Sequence, residues 1–191
     1  MRIGILGGSF DPPHLGHIAM AEAATEFLKL DEVVFVPAAL QWQKSHHAPA
    51  DVRAHMTHLA ISNHPRWKVS FVDLDRGGET YSYQTLQDLK TVYPEDELFF
   101  ILGSDSANSL STWKEADKLA STAKFAVVKR FGIDVEVPQG FDYQQIPGEI
   151  PNISSTQIRD VVAKSNEVEK DLKVFVPLEV AKYINSVGLY R

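Results

Sequence analysis

Three groups of residues in this 191-residue chain have types and spacing suited to holding phosphate while charge builds on it. The first is the run Gly7-Gly8-Ser9-Phe10-Asp11-Pro12-Pro13-His14-Leu15-Gly16-His17. The apolar stretch Ile3–Leu6 leads into it, and an amphipathic pattern over Leu15–Leu28 leaves it. A strand, a glycine turn and a helix start are therefore predicted, which is an arrangement whose backbone N–H groups receive phosphate. Gly7 and Gly8 leave room for close approach and permit φ > 0. His14 and His17 fall on one face of the first helical turn, with Gly16 between them, and can donate to a phosphate as it gains charge. The second group is Ile153-Ser154-Ser155-Thr156-Gln157-Ile158-Arg159. There a hydroxyl-capped helix start is followed one turn later by an arginine, a second anion site. The third is dispersed: Asp105 after Gly103-Ser104, the loop Arg76–Thr85, and Trp113. A carboxylate just past a central strand suits a ribose hydroxyl. Trp113 suits either a core anchor or a stacking platform.

Each group also has a plainer explanation. Two glycines after a strand form ordinary tight turns, and a His-x-x-His pair alone is more often surface or part of a metal site. Thr80 and Ser82 are both suitable helix caps, and Arg159 could be an exposed residue of a capped helix. His46-His47 reads as a solvated loop tip, and His55, His58 and His64 as exposed helix face, since a metal there needs a further ligand.

These residues must be positioned by an α/β fold. Apolar runs at Ile3–Leu6, Val33–Val36, Val69–Val72, Leu98–Leu102 and Phe125–Val128 alternate with helical patterns at Leu15–Leu28, Asp51–Ser62, Ser82–Val92 and Lys114–Ser121. That alternation predicts a Rossmann-like, doubly wound parallel sheet with helices on both faces. A helix from Ser154–Thr156 to Lys164, and one from Val176-Pro177 to Val187, add a small C-terminal helical part. Residues 130–145, with Pro138 and Gly140, read as a variable loop. The length fits one domain spanning residues 1–191. Apolar content of 44% and charged content of 23% are those of a globular protein. The absence of cysteine excludes disulfides and thiolate metal sites. No apolar run approaches membrane-spanning length and the N-terminal run is too short for a signal peptide, so a cytoplasmic location is expected. A net charge of −6 argues against nucleic acid as partner, though not against a phosphorylated small molecule. A homo-oligomer is left open.

The stretch Ser9–His17 resembles the (T/S)-F-x-P-x-H-x-G-H element of the HxGH nucleotidyltransferases. With Arg76–Thr85, Gly103-Ser104-Asp105, Trp113 and Ile153–Arg159, nearly the whole chain is similar to the bacterial nicotinate-nucleotide adenylyltransferases. The resemblance implies AMP transfer from ATP to nicotinate mononucleotide. It places ATP against Gly7, Gly8, Ser9, Phe10, His14, His17, Gly103, Asp105 and Ile153–Thr156 with Arg159. It places the nicotinate nucleotide against Ser9, Lys44, Thr80, Tyr81, Ser82, Trp113 and Lys114, with Trp113 on the pyridine ring. His14, His17, Lys44 and Arg159 are the implied catalytic set. Mg²⁺ is expected to travel with ATP, with no metal held by the protein itself. Three features depart from the common pattern. Ala38-Ala39-Leu40-Gln41-Trp42-Gln43-Lys44 looks like the actinobacterial form of its loop; Trp113-Lys114 replaces Trp-Tyr; and Arg130-Phe131-Gly132 replaces Arg-Pro-Gly. Alternatives are another HxGH nucleotidyltransferase, such as one acting on phosphopantetheine, and a nucleotide-binding sensor without catalysis.

Overall fold

The computed structural model describes residues 1–41 and 47–191, with residue 41 described by its backbone alone. Strands β1 (Arg2–Gly8), β2 (Glu32–Pro37), β3 (Leu40–Gln41), β4 (Trp67–Val69), β5 (Glu79–Thr80), β6 (Glu97–Gly103), β7 (Lys124–Arg130) and β8 (Tyr143–Ile150) alternate with helices. These are α1 (Leu15–Leu28), α2 (Ala50–Ile61), α3 (Val72–Arg76), α4 (Ser82–Val92), α5 (Ser104–Ala107), α6 (Ala116–Ala120), α7 (Ser155–Lys164), α8 (Val168–Leu172) and α9 (Leu178–Val187), with a 3₁₀ turn at Leu110–Thr112. Six strands form one sheet in the order β4-β2-β1-β6-β7-β8, and every ladder in it is parallel.

The alternating side chains of each strand feed two separate cores. Leu6, Phe35, Phe99, Ile101 and Val128 face α1, α2 and α7–α9. Ile3, Ile5, Val34, Val36, Phe100 and Val127 face α4 and the 107–119 segment. Strands buried on both faces read as continuous apolar runs, which is why β1, β2, β6 and β7 stand out in the sequence. Gly4 belongs to the first face. A Cβ there would lie 2.7 Å from Leu30 and 2.8 Å from Ile101, so only glycine lets those side chains close over β1. Among the described residues no helix is long and apolar enough to cross a membrane.

Strand order reverses between β1 and β6, and such reversals open a crevice beyond the carboxyl ends of the strands. Gly7-Gly8 and Gly103 end those two strands. The small pair β3–β5 draws the 77–81 loop beside the chain leaving β2.

The doubly wound sheet and the full spans of α1, α4 and α7 match the sequence expectation. Three elements differ. The third strand ends at Val69, and Val72 instead begins α3, where buried Asp73 accepts hydrogen bonds from Thr85 and Arg76. Part of the expected 130–145 loop belongs to β8, whose only fully buried residues are Ile146 and Ile150, four apart. A strand normally alternates every two residues, so this one carries no such signal. The expected helix Lys114–Ser121 is a 3₁₀ turn ending before Trp113, then a short α6 entered through Glu115 in the left-handed region.

Candidate active site

The first edge of the crevice is the turn from β1 to α1. Gly7 and Gly8 are extended and paired to Val36 and Pro37, so the expected positive φ is not at either of them. It falls on Phe10, at 51°, a conformation that costs a non-glycine residue energy and persists only when its surroundings enforce it. Phe10 is 1% exposed, edge-on to His17 at 4.9 Å and tilted on Phe35 at 5.8 Å. A Cβ on Gly8 would reach within 3.2 Å of its ring. The Asp11–Pro12 peptide is cis.

The two histidines stack, with centroids 3.7 Å apart. The His14 N–H donates to His17 Nδ1 at 3.2 Å, which leaves the proton of a neutral His17 on Nε2. His14 is 6% exposed, and Nδ1 is buried without a hydrogen-bond partner among the described residues. Burial, with the charge of Arg130, pushes its pKa down to about 3, so the ring is neutral at pH 7. Gly16 allows this stack: a Cβ there would lie 3.0 Å from His14 Nδ1. The α1 terminus itself offers less than expected. The Leu15 N–H donates to Phe175 O and the His17 N–H to His14 O.

The start of α7 faces this turn. Ser154 caps it by accepting from the Gln157 N–H. Ser155 Oγ donates to Pro12 O at 2.9 Å, and Arg159 Nη1 to Asp11 O at 2.7 Å, while its Nη2 donates to Thr156 Oγ1. Two expected anion-site side chains thus also tie α7 to the histidine turn. The first-turn N–H groups of Ser155 and Thr156 have no acceptor within the helix, as at any helix start.

At the end of β6, Gly103 permits Asp105 to fold back; a Cβ there would be 2.6 Å from its carboxylate. Asp105 is paired with Arg130 Nη1 at 2.8 Å, and Arg130 Nη2 also donates to Ile153 O. Arg130 is a site residue that the sequence does not single out; its signal there is a cation at the carboxyl end of a strand, in the altered Arg130-Phe131-Gly132 motif.

The far end is built from Thr80–Ser82 and Trp113-Lys114. Thr80 does not cap α4: its Oγ1 accepts the Ala39 N–H at 3.0 Å. Ser82 begins α4 without capping it, so the Ser82 and Tyr83 N–H groups lack acceptors within the helix. Trp113 closes the 3₁₀ turn, and its own N–H donates to Leu110 O. Its indole donates to Ser109 Oγ at 3.1 Å and meets Phe100 edge-on, which leaves the ring half-buried at the crevice wall. Lys114 Nζ lies 5.9 Å from the Tyr81 ring centroid.

These elements enclose one cleft of about 760 Å³. It brings together Gly7, Gly8, Ser9, Phe10, His14, His17, Thr80, Tyr81, Ser82, Gly103, Asp105, Trp113, Lys114, Ile153, Ser154, Ser155, Thr156 and Arg159. Lys44, with Trp42, Gln43 and His46, lies outside the described residues. Asp11, Asp73 and Arg130 line the cleft as well, unforeseen. Among the described residues no three His, Asp or Glu side chains are grouped to hold a metal ion. His55 and His64 lie apart, against Tyr183 and Trp67 respectively.

The chain and its fold are matched in known proteins. The cytidylyltransferase-like family matches residues 5–161. A probable nicotinate-nucleotide adenylyltransferase of Thermus thermophilus is 42% identical over 193 aligned positions that cover all of both chains. The chain belongs to the nicotinate-nucleotide adenylyltransferase family. Actinobacterial members of this adenylyltransferase family are similarly related: that of Streptomyces coelicolor is 42% identical, covering 97% of this chain and 99% of its own. The fold agrees with that of the Plasmodium falciparum nicotinic acid mononucleotide adenylyltransferase, solved in complex with NaAD. The TM-score is 0.82 at 25% identity, over 99% of this chain and 97% of that one.

Proposed function

We propose that this chain transfers the adenylyl group of MgATP to nicotinate mononucleotide, giving deamido-NAD and pyrophosphate, in the cytoplasm. The observation that carries the reading is the polarity of the cleft. One end offers stacked histidines, the α7 start and Arg159; the other offers the Trp113 ring and the α4 start. A triphosphate and a pyridine nucleotide set end to end between them meet at their phosphates.

No protein nucleophile is needed. A phosphate oxygen of nicotinate mononucleotide attacks the α-phosphorus of ATP in line. The bond from the α-phosphorus to the bridging oxygen breaks, and the pyrophosphate leaves with its electron pair. Catalysis is then alignment and stabilisation of charge on the phosphoryl oxygens. His17 Nε2–H donates to those oxygens, and His14 fixes the ring by stacking and through its backbone N–H. Arg159, the Thr156 hydroxyl and the N–H groups of Ser155 and Thr156 receive the departing pyrophosphate, while the Ser155 hydroxyl holds Pro12 O; Lys44 is assigned to the phosphates on sequence grounds. Asp105 is assigned to the adenosine ribose, with Arg130 orienting its carboxylate. The nicotinate ring stacks on Trp113, and its carboxylate accepts from the N–H groups at the start of α4. Magnesium is assigned to the nucleotide. Asp11, Asp73 and Asp105 each already accept hydrogen bonds from protein donors, so among the described residues the cleft has no carboxylate set free to cage an ion.

The test is pyrophosphate release with MgATP and nicotinate mononucleotide, with chromatographic identification of the dinucleotide and a phosphopantetheine control. The His17→Ala variant should lose about 100- to 1,000-fold in kcat, the usual cost of removing one preorganised donor. Near-normal kcat in that variant, or turnover of phosphopantetheine instead, overturns the reading.

A further inference from the structure

The histidine turn rests on a buried polar network that does no chemistry in the scheme above. Arg53, on α2, is 1% exposed. Its guanidinium donates to four carbonyls: Ser9 O at 2.7 Å, Ala38 O at 2.7 Å, Ala39 O at 2.9 Å and Ala48 O at 3.1 Å. One side chain thereby joins the turn after β1, the chain leaving β2 and the chain entering α2. An interior guanidinium is tolerated only with its donors satisfied and its charge answered. The opposing charge is Asp11, 2% exposed, within the histidine turn itself.

Among the described residues three donors hold the Asp11 carboxylate. Two are the N–H groups of His47 at 2.6 Å and Ala48 at 3.2 Å. The third is the Tyr190 hydroxyl, at 2.7 Å, from beyond α9. The backbone at Tyr190 sits at φ 66°, a left-handed conformation unfavourable for an aromatic residue. Such strain persists only where the surroundings over-determine it. Asp11 is also gripped through its own carbonyl by Arg159. The residue three positions before His14 is thus fixed from the segment entering α2, from α7 and from the C-terminal segment.

We propose that Tyr190, acting through Asp11 and in concert with Arg53, is a positioning residue for adenylyl transfer, setting the turn that carries His14 and His17. The inference rests on the function proposed above. Tyr190 contacts no reacting atom; it holds the group that orients those that do. A displacement of about 1 Å at a reacting centre can cost about 100-fold in rate, and loss of one of three donors to Asp11 produces less than that.

The test uses Tyr190→Phe, which removes the hydroxyl and keeps the ring. All assays run well below the melting transition of the least stable variant. The expected result is a fall in kcat of about tenfold, with KM for MgATP and nicotinate mononucleotide within about twofold of wild type. In a His17→Ala background the same substitution should change kcat by less than about twofold, because the group it positions is gone. A purely structural role would leave kcat unchanged in folded protein, or multiply equally in both backgrounds; either result overturns the inference while wild-type turnover stands. Absence of wild-type turnover would instead overturn the adenylyl-transfer reading, and this one with it.

Discussion

Substitution Gly16→Ala should move stability and activity independently, because two separable effects meet at this residue. Gly16 is the second residue of α1 and has an ordinary negative φ, so alanine fits the backbone. Glycine in a helix interior is less stable than alanine by about 0.5–1 kcal/mol, and the first turn lies at the lower end of that range. The new methyl would sit 3.0 Å from His14 Nδ1 and 3.1 Å from Cε1, tighter than an ordinary van der Waals contact. The ring must yield by a few tenths of an ångström, which cancels part of the helix gain. The net change in stability is therefore within about 0.5 kcal/mol, or about 2 °C in melting midpoint for a chain of this size. Activity has no such compensation. His14 is stacked on His17 at 3.7 Å and supplies the N–H that fixes its tautomer, so a shifted ring is transmitted to the donating imidazole. With about 100-fold lost per ångström of misplacement, a shift of a few tenths predicts about a three- to tenfold fall in kcat. Pyrophosphate release beside a thermal melt measures both. Wild-type kcat in the Gly16→Ala protein would refute the stacked-pair argument, and a large drop in melting midpoint would show that the ring cannot yield.

Two further outcomes are expected. The pKa of His14 is depressed to about 3 in the fold from an ordinary value near 6.5. Below pH 6.5 the unfolded chain binds a proton that the native state refuses, so this contribution is full above pH 6.5 and is lost as pH falls toward 3, at up to about 1.4 kcal/mol per pH unit. Denaturant midpoints between pH 7 and pH 5 should fall less steeply in His14→Gln than in wild type; parallel curves would contradict the buried neutral ring. Trp113→Ala should weaken nicotinate mononucleotide binding by about three- to tenfold, matching a stacking contribution of about 0.5–1.5 kcal/mol, while MgATP affinity is kept. Unchanged affinity with a large loss of stability would make Trp113 a core residue only.

The parts of this protein legible in its sequence are those whose burial repeats with the period of one element. β1, β2, β6 and β7 are apolar on both faces, and α7 announces itself by Ser154 at its cap. The site residues at strand ends were legible because the topology gathers those ends into one crevice. What escaped depended on long-range partners. β8 buries only Ile146 and Ile150, and its pairing with β7 shifts register between Val128 and Lys129. Arg53 looks like any helix-surface arginine; its role comes from carbonyls contributed by loops up to 44 positions away. Thr80 is a plausible cap until Ala39 donates to it. The pattern at Lys114–Ser121 predicts one helix, but Glu115 in the left-handed region delays its start to Ala116.

The central claim is that the Ser82–Trp113 end of the cleft receives a nicotinate carboxylate while MgATP occupies the histidine end. Because Trp113 closes a 3₁₀ turn, that recognition is assigned to the Ser82 and Tyr83 N–H groups at the start of α4. A carboxylate accepts from both, whereas an amide must turn its NH₂ toward one, leaving a donor unpaired at about 1–3 kcal/mol. The most direct measurement is kcat/KM for nicotinate mononucleotide and for nicotinamide mononucleotide, each with saturating MgATP. The account predicts turnover of both or of the acid alone, with the acid preferred at least about tenfold. Equal turnover of acid and amide, or turnover of neither, would contradict it.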